Sequence, residues 1–77
     1  MPQLTLFFRP TCPYSQKVLN YMKQNNITLP LKDISNESNR QELIQVGGKQ
    51  QIPCLIIDGK AMYESDDIIA WLKANHK

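Results

Sequence analysis

Two short apolar runs constrain this chain most: Leu4-Thr5-Leu6-Phe7-Phe8 near its start, and Ile52-Pro53-Cys54-Leu55-Ile56-Ile57 well past its middle. Each is too short for a buried helix and too continuous for a strand with one wet face. Each predicts a strand, and the first is of the kind covered on both faces of a sheet. A doubly covered sheet needs helices, and the sequence between and after the runs supplies them. The chain has 77 residues, so the sheet must be small, and a single domain over 1–77 is expected.

Arg9-Pro10-Thr11-Cys12-Pro13 breaks the first run, and Pro13 suits the first turn of a helix. Val18, Leu19 and Met22 form that helix's apolar stripe, Lys17, Lys23 and Gln24 face out, and Asn25-Asn26 end it. Segment 27–34 alternates imperfectly, and Pro30 predicts an edge strand or a break there. Ser35 or Asn36 caps a second helix, carried by Leu43, Ile44 and Val46 and stopped by Gly47-Gly48. Asp58-Gly59 is a hairpin signal, with 60–63 as the returning strand. Ser65 then precedes Asp66 and Asp67, acids that suit the positive end of a last helix with Ile68, Ile69, Trp71 and Leu72 as its buried face. The order β-α-β-α-β-β-α predicts an α/β fold with a four-stranded mixed sheet flanked by three helices. Its first β-α-β unit is parallel and its late hairpin antiparallel.

Nine basic residues against seven acidic leave a net charge of +2. They are scattered, which predicts neither a nucleic-acid nor a membrane partner. No stretch approaches the ~20 apolar residues of a bilayer-spanning helix, and the start, Met1-Pro2-Gln3, lacks the basic region of a secretory signal. Two cysteines are too few for a disulfide-dense scaffold or a four-ligand zinc site, and the single His76 sits in the terminal tail. The expectation is cysteine chemistry in the reducing cytoplasm, with no metal site.

Cys12 is the residue placed for that chemistry. A cysteine that follows a buried strand and opens a helix feels the helix's unpaired N–H groups and dipole, which favour the nucleophilic thiolate. Arg9 and Lys17 are near enough in sequence to add positive potential. A structural cysteine would be inert and enclosed, whereas a position between Pro10 and Pro13 is a turn. Cys54 has two readings: it faces Cys12 across the site, or it fills a strand position as a small hydrophobe, the commoner role of a free cysteine.

Residues 9–15, Arg-Pro-Thr-Cys-Pro-Tyr-Ser, resemble the active-site segment of glutaredoxins, whose usual form is Cys-Pro-Tyr-Cys. Gln51-Ile52-Pro53 is similar to that family's Thr-Val-Pro element, in which the proline is cis and faces the active cysteine. The spacing from Pro53 through Asp58-Gly59 to Asp66-Asp67-Ile68 matches without a gap. The resemblance implies a thioredoxin-like (glutaredoxin) fold, a cis Ile52-Pro53 bond, and glutathione as a co-substrate with no tightly bound cofactor. It implies Cys12 as the catalytic residue, in a turn completed by Pro13, Tyr14 and Ser15. It further implies a glutathione site drawn from Arg9, Tyr14, Lys49, Gln50, Ile52, Pro53, Glu64, Ser65 and Asp66. In that site Arg9 or Lys49 would meet the glycyl carboxylate, and Gln50 stands where the family often has a basic residue. The Ile52 backbone would pair with the cysteinyl segment as a short strand addition, and Ser65 and Asp66 would hold the γ-glutamyl end.

The sequence departs from glutaredoxins in ways that shape the expected function. Ser15 stands in place of the second cysteine, so no dithiol forms in the turn and turnover passes through glutathione. Tyr63-Glu64 replaces a Gly-Gly pair, and residues 63–69 resemble the Glu-Ser segment of glutathione transferase N-terminal domains, which also binds γ-glutamyl. The transferases' helical C-terminal domain has no counterpart in the sequence, so a stand-alone module is expected; a monomer is expected as well. The implied function is a monothiol, glutathione-dependent thiol-disulfide oxidoreductase acting on glutathionylated proteins or small mixed disulfides. Two other readings are a glutathione-ligated iron–sulfur carrier and a non-catalytic thioredoxin-fold binding module. Pro13 and the missing Gly-Gly count against the carrier, whose turn is usually Cys-Gly-Phe-Ser.

Overall fold

The two apolar runs lie side by side at the centre of one sheet. In this computed structural model, which describes residues 3–75, β1 (Leu4–Phe8) pairs in parallel with β2 (Leu31–Asp33) and antiparallel with β3 (Cys54–Ile57). β3 pairs antiparallel with β4 (Lys60–Met62), giving the order β2-β1-β3-β4. The helices are α1 (Pro13–Gln24), α2 (Glu37–Gly47) and α3 (Ser65–Asn75). Element order, mixed sheet and strand directions are those expected. The readings placed on Met1, Pro2 and the tail residue His76 lie outside the described residues.

Alternation along the strands explains why both runs are apolar throughout. Leu6 and Leu55 face a cluster with Val18, Met22, Ile68 and Leu72 from α1 and α3. Phe7, Cys54 and Ile56 face the opposite way, onto Ile34 and Leu43 beneath α2. Fully burying one such large side chain contributes about 1.5–3 kcal/mol. These two clusters, more than helix propensity, hold the three layers together.

Local signals set the element ends. Cys12 is the N-cap of α1 in extended conformation, with Pro13 following it, and Asn26 adopts a left-handed φ of 56° beyond the helix. Asn36, rather than Ser35, caps α2: its side chain accepts from the Ser38 N–H at 2.9 Å. Gly48, with φ 84°, closes that helix. Asp58 and Gly59 both have positive φ, as a two-residue hairpin turn of this twist requires. β2 is a three-residue strand at the sheet edge, where a preceding proline is tolerated.

Some expectations need correction. Ile44 and Val46 do not belong to a buried stripe; both are exposed, and Leu43 is the buried residue of α2. The inward line from Leu43 continues one turn on at Gly47, which leaves Ile44 and Val46 on either flank. The second apolar run enters the sheet at Cys54, with Ile52 and Pro53 ahead of it, and β4 ends at Met62 rather than Tyr63. No helix among the described residues is long and apolar enough to cross a membrane.

Gly47 and Tyr63 explain how α2 meets the far side of the sheet. The Tyr63 hydroxyl donates to the Gly47 carbonyl at 2.6 Å, satisfying a helix-end acceptor that has no partner in the helix. A Cβ on Gly47 would lie 2.2 Å from that hydroxyl oxygen. Ala normally improves a helix over Gly by roughly 1 kcal/mol, but Gly47→Ala is expected to destabilise by about 1–3 kcal/mol through overpacking. Urea unfolding checks the sign, and in a Tyr63→Phe background the penalty should shrink. A stabilising Gly47→Ala would show that this contact does not constrain the helix.

Candidate functional site around Cys12

Strand direction brings the site together. Phe7 opposes Cys54, and Leu55 opposes Met62, so the end of β1, the start of β3 and the end of β4 lie at one end of the sheet. The turn into α1, the Ile52-Pro53 segment and the Tyr63-Glu64 segment into α3 all meet there. Tyr14, Lys17, Gln51, Ile52, Pro53 and residues 63–66 line a cleft of about 220 Å³ at this end. The Ile52-Pro53 bond is cis.

Cys12 is partly exposed, in a turn held by its N–H on the Arg9 carbonyl at 3.0 Å and by the Gln16 side-chain amide on the Pro10 carbonyl at 2.8 Å. Its own carbonyl accepts the Gln16 N–H at 2.9 Å. Partial desolvation pushes the thiol up. The Ser15 N–H and hydroxyl, the Tyr14 N–H and the Arg9 charge outweigh that and hold it below the ordinary cysteine value. Ser15 is fully buried, and its Oγ accepts the Arg9 N–H at 3.3 Å. The hydroxyl's one proton is then left to donate to the Cys12 sulfur. Lys17, near enough in sequence to add positive potential, pairs with Asp66 on α3.

The other cysteine is in a different environment. Cys54 is wholly buried among Phe7, Ile34, Leu43 and Ile56. Desolvation pushes its thiol up to about 11, against a weaker backbone hydrogen bond from Met62. Both cysteines are free, and Cys54 is the small core hydrophobe of the two readings.

Of the residues singled out from sequence, Tyr14, Ile52, Pro53, Glu64, Ser65 and Asp66 line the cleft, while Cys12, Pro13 and Ser15 flank Tyr14 in the turn outside the lining, and Arg9, Lys49 and Gln50 do not line it either. Arg9 is exposed in the turn before Cys12. The Lys49 ammonium sits 4.5 Å from the centroid of the Tyr63 ring, a cation–π contact at the rim. The Gln50 side-chain carbonyl accepts from Arg40 at 3.1 Å, tying its loop to α2. Three lining residues were not anticipated as such: Lys17, Gln51 and Tyr63. Gln51 and Tyr63 flank motifs already read, but the pairing of Lys17 with a residue on the last helix has no local signal.

The family described as "Glutathione S-transferase, N-terminal domain" matches residues 6–77 of the chain. No curated protein matches it. Among solved structures it is similar to glutathione transferase Omega 3C from Trametes versicolor, with TM-score 0.81 and 24% identity over 97% of this chain and 35% of that one. A glutathione transferase homologue from Drosophila mojavensis, solved with bound glutathione, gives 0.79 and 18% over 99% and 36%. Oxidised glutaredoxin 2 from Chlamydomonas reinhardtii gives 0.67 and 20% over 95% and 73%. The chain thus spans about a third of the length of these transferases. The fold shared by these neighbours is the thioredoxin-like one.

The electrostatics of the turn yield a direct expectation. In a Cys54→Ala protein, thiolate absorbance against pH should place the Cys12 midpoint below that of free cysteine, about 8.5. Ser15→Ala should move it up, because a donor to the thiolate is lost. A midpoint at or above the free value, or one indifferent to Ser15→Ala, would contradict this description of the turn.

Proposed function

We propose, for a chain that belongs to the glutathione S-transferase N-terminal domain family, that it binds glutathione in the cleft and that Cys12 exchanges disulfides with it by a monothiol route. The observation that carries this reading is a partly exposed thiol with a lowered pKa at the start of α1, with Ser15 in place of a resolving cysteine. The only other thiol is enclosed in the core and held protonated, which leaves resolution to an external thiol.

The Cys12 thiolate attacks the glutathione sulfur of a mixed disulfide. A Cys12–glutathione disulfide forms, and the substrate's thiolate leaves. A second glutathione thiolate then attacks the glutathione sulfur of that intermediate, releasing oxidised glutathione and regenerating the Cys12 thiolate. The rate depends on the thiolate fraction of the attacker and on the leaving group's pKa. Ser65 and Asp66 hold the γ-glutamyl end, and the Ile52 backbone pairs with the cysteinyl segment. Arg9, in the turn before Cys12, or Lys49, against the Tyr63 ring, meets the glycyl carboxylate. The bound glutathione in the similarly folded Drosophila mojavensis homologue supports this choice of ligand. The substrates are glutathionylated proteins or small glutathione mixed disulfides.

Glutathione-dependent reduction of a small mixed disulfide, coupled to an external glutathione reductase, tests the route. Cys12→Ser is expected to abolish turnover, since an alcohol cannot form the intermediate, and Cys54→Ser to retain most of it. Asp66→Ala should raise the glutathione concentration needed for half-maximal rate by roughly tenfold, the effect of losing one charge-assisted hydrogen bond. If Cys54→Ser proves as damaging as Cys12→Ser, the monothiol route is wrong.

A further inference from the structure

The charges lining the cleft are two carboxylates, Glu64 and Asp66, and one ammonium, Lys17. Glutathione brings two more carboxylates and one ammonium, for a net charge of −1 near neutral pH. Fixed acids alone would repel it, so its affinity depends on where a cation is held. Lys17 projects from α1 and pairs with Asp66 in the first turn of α3, bridging the two helices at the cleft. Both side chains are more than half exposed, at 52% and 79%. An ion pair this exposed contributes little to stability and is readily exchanged for other partners.

The γ-glutamyl end of glutathione is a free amino-acid head, with ammonium and carboxylate on one carbon. Lys17 and Asp66 present the complementary pair of charges, already in contact. The N–H groups of Ser65, Asp66 and Asp67 precede the first intrahelical donor of α3, Ile68, which bonds the Glu64 carbonyl. They favour a carboxylate on the same side. We infer that Lys17 is a specificity-determining residue that receives the α-carboxylate of the γ-glutamyl group while Asp66 receives its ammonium. The internal ion pair thereby opens into a ring of four alternating charges. This inference rests on the glutathione reading of the cleft and adds to it a residue on α1. The opposing role is that of a competitor: a lysine that occupies Asp66 and must be displaced. The two differ in sign, because removing a competitor tightens binding.

The test is calorimetric titration with S-methylglutathione, which cannot exchange disulfides, and with its analogue carrying a 4-aminobutyryl group in place of γ-glutamyl, which lacks only the α-carboxylate. The wild type should bind the analogue about tenfold more weakly than S-methylglutathione. Lys17→Met should lose about the same factor for S-methylglutathione and should no longer discriminate between the two ligands. Lys17→Arg should stay within a few-fold of wild type. If Lys17→Met binds S-methylglutathione as well as or better than wild type, or still discriminates, the assignment of Lys17 is overturned while the glutathione site stands. If the wild type does not bind S-methylglutathione at all, the glutathione reading falls and the role of Lys17 falls with it.

Discussion

The antiparallel registers of β3 are the constraint on which the rest depends. With Phe7 opposite Cys54 and Leu55 opposite Met62, the chain leaves β1, enters β3 and leaves β4 at one end of the sheet. α1 follows β1, and α3 follows β4, so both helices also begin there. Two positive dipole ends and their unpaired N–H groups thus converge where Cys12 and the cleft lie. An anion, whether a thiolate of the chain or a carboxylate of a ligand, is favoured at that end by the backbone. Side chains add to this: the Ser15 hydroxyl and the Arg9 charge at the sulfur, and Lys17 and Asp66 between the helices.

The two thiols show how far environment divides identical groups. Cys12 and Cys54 lie on adjoining segments at the same sheet end, yet one is held below the ordinary cysteine value and the other pushed to about 11. For Cys54, enclosure among apolar side chains is the dominant effect, and a single backbone donor does not offset it. For Cys12, desolvation is the largest single influence as well, but several weaker ones oppose it together. Ser15 matters most among these because it is wholly buried and acts twice, through its N–H and its hydroxyl. The serine that removes a dithiol from the turn therefore also supplies support for the remaining thiolate.

Much of this was legible in the sequence, for local reasons. The strand Leu4–Phe8, the helix opened by Pro13 and the Asp58-Gly59 hairpin each have a short-range signature, whereas the cis Ile52-Pro53 bond followed from the family resemblance. The cysteine-bearing turn, the proline element and the acidic start of the last helix gave six residues of the cleft. What escaped depends on tertiary placement. Ile44 and Val46 match a helical period as well as Leu43 does, and only the way α2 lies on the sheet separates them. Lys17 meets Asp66 and Tyr63 meets Gly47 across long sequence separations.

In the proposed function Cys12 is the one reactive sulfur and glutathione its disulfide partner. Intact mass after incubation with oxidised glutathione tests both at once. The expected product is a single glutathione adduct, mapped to Cys12 by peptide mass and removed by excess reduced glutathione. A protein lighter by two hydrogens with no adduct would mean a Cys12–Cys54 disulfide. That result would contradict both the enclosure of Cys54 and the monothiol route.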